Sequence, residues 1–122
     1  MDNYKFKHYL MWDFISLYYA NMIRMVYMGY AGWLPDLQTA KDKYLTEFEE
    51  NEVHADCYLC DAHPHNCEDC ELAKNYKPCS HRDSPYQRLW DLISIFNASR
   101  EKNSATADEI IRTIETIRDC CK

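Results

Sequence analysis

Two Cys-x2-Cys pairs in the middle of the chain limit what it can become more than any other feature. Cys57 and Cys60 are followed, after six residues, by Cys67 and Cys70, and after eight more residues by Cys79 and then His81. Each pair can place two thiolates on one cation at about 2.3 Å. Four thiolates in a tetrahedron close the coordination sphere, so such a site supports structure rather than water activation. The spacing predicts one structural Zn2+. Cys57, Cys60, Cys67 and Cys70 are the first choice of ligands; in a second set Cys79 replaces Cys67. His81 competes for a place, and His63 and His65 lie between the pairs. An iron–sulfur cluster is the poorer reading because no ferredoxin-like cysteine run is present. From Cys57 to Asp83 there is little apolar material beyond Tyr58, Leu59, Leu72 and Tyr76. Metal binding therefore has to supply order that burial cannot. Cys120 and Cys121 are expected outside the site, Cys121 in the core and Cys120 as an incidental thiol.

Seven cysteines, an odd number, fit poorly with a fully disulfide-paired secreted domain. The opening MDNYKFKHYLMWDF has no uninterrupted apolar stretch and no small-residue cleavage site. Thiols of a reducing compartment are more often ligands than bridges, so the expected location is cytoplasmic.

Only two glycines and four prolines in 122 residues favour helices over a turn-rich β fold. The predicted fold class is mainly α, a small helical bundle with an inserted Cys-rich zinc-knuckle loop at 57–83, in one domain spanning 1–122. Helices are expected at about 5–31, 35–54, 84–97 and 105–121. In the first, Leu10, Phe14, Leu17, Tyr18 and Met25 recur at helical spacing with nearly all-round apolar coverage, as in a central helix. Phe14 to Leu34 is long enough to span a bilayer. Arg24 near its middle and its richness in Tyr favour a core helix or an oligomer interface instead, and a homodimer is compatible with that face. The second helix starts near Pro35-Asp36 and is expected to expose Lys41, Asp42, Lys43, Glu47, Glu49 and Glu50. Ser84-Pro85-Tyr86-Gln87 places a cap, a first-position proline and a third-position glutamine at the start of the third. Tyr86, Leu89, Trp90, Ile93 and Phe96 form its stripe. The fourth is capped by Thr106 with Glu109, or by Ser104, and buries Ala107, Ile110, Ile111, Ile114, Ile117 and Cys121.

The formal charge is −6. From Glu47 to Glu71 there are nine acidic residues and no Lys or Arg. That surface repels a phosphate backbone, since nonspecific nucleic-acid affinity needs Lys and Arg to displace counterions. Glu47, Glu49, Glu50, Glu52, Asp61, Glu68 and Asp69 are the expected partner-binding residues, competing for a basic groove as a nucleic-acid mimic would. A basic strip follows: Lys74, Lys77, Arg82 and Arg88.

For catalysis the sequence offers little. His63-Pro64-His65-Asn66 faintly matches the His and Asn of HNH nucleases, but the spacing departs from the ββα-metal arrangement. There is no nucleophile elbow, Gly-rich phosphate loop or HExxH motif. The chain is read as a non-enzyme.

Several elements together resemble a loose group of short proteins from phages and mobile elements. They are Met11-Trp12 in the first helix; a Lys-x2-Tyr helix at Lys41 to Tyr44 or Asp42 to Leu45; Cys57-Tyr58-Leu59-Cys60; Asn66-Cys67 through Leu72; and Cys79 before Ser84-Pro85-Tyr86. Where members usually have Pro after the fourth cysteine, this chain has Glu71. The resemblance implies a phage or mobile-element origin, expression inside a bacterial cell and a small accessory role. The expected function is a non-enzymatic, zinc-stabilised accessory protein that binds and inhibits a host protein. A bacterial defence (CRISPR) effector with a basic, nucleic-acid-binding surface is the best single target. The alternative is a small zinc-containing nucleic-acid-binding regulator using Lys74, Lys77, Arg82 and Arg88.

Overall fold

A computed structural model describes residues 4–48, 58–59, 70–76 and 81–121. The molecule is mainly helical, with no strand among the described residues. Helix α1 is Tyr4–Tyr27, α2 Leu37–Glu47, α3 Glu71–Asn75, α4 Pro85–Ala98 and α5 Ser104–Arg118; a 3-10 turn, Asp119–Cys121, continues α5.

The helix starts follow from side-chain caps. Asp36 accepts from the Thr39 backbone N–H at 2.8 Å, so it caps α2, and Pro35 stands before the cap rather than inside the helix. Ser84 accepts from the Gln87 N–H at 3.1 Å with Pro85 in the first turn of α4, as its sequence signature requires. The α5 cap is Asn103, which accepts from the Ala105 N–H at 2.7 Å. This corrects the expected Ser104 or Thr106 cap: an Asn one residue earlier satisfies the first free donors. The α1 helix stops at Tyr27, four residues short of the expected end at 31, because Gly29 takes φ +82° and turns the chain.

Helix α5 is the hub. It packs against both α1 and α4, and α2 packs on α1. One core joins them: Met11, Trp12, Ile15, Tyr19, Leu37, Tyr44, Leu89, Ile93, Phe96, Ile110, Ile114 and Ile117 are all buried. Tyr58, Leu59 and Leu72, the few apolar residues around the cysteines, enter the same core. Arg118 pins the end of α5 to α1. Its guanidinium bonds Asp13 at 2.9 Å and lies over the Tyr9 ring at 5.1 Å, and the Asp119 and Asp13 carboxylates hold its pKa above the ordinary value.

Two packing expectations are corrected. The first helix is not covered all round: Leu17 is 66% exposed and Leu10 41%, and Phe6 is also open. Its buried face runs through His8, Met11, Trp12, Ile15, Tyr19 and Ile23, and Arg24 sits at the surface. Lys41, expected on the open face of α2, is buried. Leu37, Ala40, Lys41 and Tyr44 form the helical stripe that faces the core, and the lysine occupies a position of that stripe. No described helix is long and apolar enough to cross a membrane.

Candidate functional site

Of the candidate zinc ligands, the described residues include Cys70 and His81. Cys57, Cys60, Cys67 and Cys79 lie outside them. Cys70 is half-buried in extended backbone at the start of α3, and α3 packs against the 3-10 turn. Cys70 is the N-cap of this short helix, but its side chain makes no cap hydrogen bond there. His81 is exposed, and its Nδ1 accepts from the Asp83 backbone N–H at 3.1 Å, a bond that does not involve Nε2. Among the described residues no group of three His, Cys, Asp or Glu side chains stands close enough to hold a metal ion.

Of the expected partner-binding carboxylates, Glu47 is exposed at the end of α2. Glu49, Glu50, Glu52, Asp61, Glu68 and Asp69 lie outside the described residues, as do His63, His65 and Lys77. Glu71, the end of the acidic run, accepts from the Tyr4 hydroxyl and stands 3.7 Å from Lys5 Nζ. The basic strip is of mixed sign. Arg88 bonds Glu109 at 3.1 Å, and Arg112 bonds the same carboxylate at 3.0 Å. Arg82 and Arg88 share a surface hollow with Asp83 and Asp91.

The structure gathers polar groups that sequence reasoning had not joined. His8, buried on α1, bonds the Ile117 carbonyl through Nε2 at 2.7 Å, and Cys120 Sγ lies 3.6 Å from the same nitrogen. Asn75 on α3 donates to the Cys120 carbonyl at 2.7 Å. Cys120 is thus a buried packing residue, which corrects its reading as an incidental thiol; the Cys121 side chain is outside the described set. Burial lowers the pKa of His8, partly offset by the Ile117 carbonyl and the Glu71 charge. One turn further along α1, Trp12 meets Tyr86 edge to face, and the Lys41 ammonium lies over both rings. The signals were present: His8 is four residues before Trp12, and Lys41 falls on the stripe that contains Leu37 and Tyr44.

A second feature is the turn between α1 and α2. Both glycines of the chain are in it. Tyr30 and Ala31 donate their backbone N–H to the Met25 carbonyl at 2.9 and 3.3 Å. Leu34 plugs into the core, while Asn97 of α4 clamps its backbone on both sides, accepting from Leu34 N–H at 2.7 Å and donating to Leu34 O at 3.0 Å. On this fixed frame Tyr30 is 71% exposed, Trp33 68% and Met28 58%, with Tyr27 beside them. Arg24, one turn before Met28, is exposed as well. Lys102 is not part of that surface, because its Nζ caps α4 through the Phe96, Asn97 and Ser99 carbonyls.

Compared with protein-family models, curated proteins and solved structures, the chain has no match.

Proposed function

We propose that the chain is a non-enzymatic accessory protein of a phage or mobile element that inhibits a host protein by covering one of its functional surfaces. The observation that carries this reading is the clamped turn that holds Tyr30, Trp33 and Met28 out into solvent. Trp, Tyr and Arg are the side chains that dominate binding hot spots. A backbone fixed before binding loses less freedom when a partner arrives. Exposed aromatics cost solubility, so a rigid frame that presents them is best explained by a partner.

The acidic run from Glu47 to Glu71 sets the partner's character: a basic surface that normally holds nucleic acid, as in a CRISPR effector nuclease. One Zn2+ held by four of Cys57, Cys60, Cys67, Cys70 and Cys79, with His81 as a spare ligand, would fix the shape of the acidic segment. The regulator alternative is weaker because Arg88 and Arg112 are spent on Glu109.

The test is competition. Purified CRISPR effectors loaded with labelled guide and target should lose target binding as this chain is added, more strongly at low salt. Trp33→Ala should weaken inhibition about 30-fold, as a hot-spot truncation of about 2 kcal/mol does, with Tm unchanged because the side chain is exposed. Replacing Glu47, Glu49 and Glu50 by lysine should remove the salt dependence. A full panel of such effectors left uninhibited at micromolar chain would end the reading.

A further inference from the structure

Lys41 Nζ, the Trp12 ring and the Tyr86 ring stand together where α1, α2 and the first turn of α4 come together, and among the described residues no anion pairs with them. Lys41 is 3% exposed and Trp12 1%. Lys41 Nζ donates to the Tyr86 hydroxyl at 2.8 Å; it lies 4.7 Å from the centroid of that ring and 5.9 Å from the centroid of the Trp12 ring. An ammonium has three N–H donors, and one hydroxyl plus two aromatic faces leave it short of acceptors. No carboxylate of the described residues is within ion-pair distance of it. The Trp12 indole N–H is buried without a partner. The Tyr86 hydroxyl, having accepted from Lys41, still has its own proton to give. Tyr86 also belongs to the first turn of α4, where the helix dipole adds positive potential. Glu71, the carboxylate whose field reaches His8, is engaged by Tyr4 and Lys5.

Burying a cation without a counter-charge is costly, and buried donors without acceptors add to that cost. An anion at the same place turns the whole arrangement favourable. We infer that Lys41, Trp12 and Tyr86 form a receptor for one small oxyanion or carboxylate, which enters past the half-buried Tyr86 ring. The chemistry is common to a free anion, such as phosphate or acetate, and to a carboxylate side chain of a peptide. The inference stands apart from the proposed inhibition, since it uses neither the exposed turn nor the cysteines.

The indole N–H resonances of the full-length protein report it directly. The three tryptophans give three signals, and Trp33→Ala and Trp90→Phe identify the one from Trp12 by elimination. Sodium phosphate, sodium acetate and a hexaglutamate peptide are titrated against sodium chloride at matched ionic strength. The Trp12 signal should shift saturably while that of exposed Trp33 stays in place. Tm should rise with the logarithm of the anion concentration, by about 10 °C at a hundredfold excess over Kd. Lys41→Met should abolish both responses and leave the anion-free protein at least as stable. Tyr86→Phe, a milder change, should weaken binding about tenfold. A shift with phosphate or acetate identifies a free anion as the ligand, and a shift with the peptide alone identifies a side-chain carboxylate. If no probe moves the Trp12 signal, or if Lys41→Met or Tyr86→Phe titrates like the parent, the receptor does not exist.

Discussion

His8 ties the first helix to the last through one hydrogen bond to the Ile117 carbonyl, and it does so in the dry core. Desolvation dominates its environment and favours the neutral ring, so its folded pKa lies below 6.5. The unfolded chain therefore binds the proton first as pH falls. Stability from this residue is complete above pH 6.5 and is lost as pH drops toward the folded pKa, by at most about 1.4 kcal/mol per pH unit. Thermal melts between pH 8 and pH 5 should show the decline. His8→Gln, which keeps a donor for Ile117 but cannot titrate, should flatten the part of the curve just below pH 6.5. A parent curve with the same slope as the variant there would mean that folding does not lower the ring's affinity for its proton. Nothing in the spacing of charged residues announces this histidine. Its burial was readable only by extending the apolar stripe of α1 backwards from Met11 and Trp12.

What the elements reveal is where local chemistry decides and where packing does. The α4 start was legible because Ser84-Pro85 states its own geometry in adjacent residues. The α2 face was misread at Lys41 because a lysine on an apolar stripe looks solvated until a tyrosine from another helix receives its ammonium, and Tyr86 is 45 residues away in sequence. The turn after α1 belongs to both kinds. Its glycines and Pro35 mark a helix end, but the clamp comes from Asn97, 63 residues from Leu34. That side chain fills two backbone hydrogen bonds in a partly buried place. Asn97→Ala should lower stability by about 2 kcal/mol, since both a backbone donor and an acceptor lose their partner. It should also weaken any partner binding through Trp33 by more than the stability change alone explains, because the aromatic frame is no longer fixed before contact. Measuring urea midpoints beside inhibition curves separates the two effects. Equal inhibition by the variant and the parent would show that the turn binds nothing that needs its shape.

The molecule as a whole couples two parts of unlike composition. Helices α1, α4 and α5 bury a continuous apolar core against one another. The sequence around the cysteines carries little apolar material, yet it sends Leu59, 1% exposed, and Leu72, 5% exposed, into that same core. Leu59 lies between Cys57 and Cys60, and Leu72 lies two residues after Cys70. A zinc ion that gathers those cysteines would also set the distance between the two leucines, and so seat them together. Removing the metal should then release both, while the contacts among α1, α4 and α5 persist. Far-ultraviolet ellipticity at 25 °C should change little on chelation, Tm should fall, and a dye that binds exposed apolar surface should brighten. The sharper measurement is a cycle. In protein loaded with one zinc, Leu59→Ala should cost about 2–5 kcal/mol, the usual range for a fully buried leucine. In metal-free protein the same substitution should cost under about 1 kcal/mol, because a leucine already released has no packing left to lose. If the two costs are equal, the leucine seats itself without help, and the metal acts on the acidic surface alone rather than on the fold.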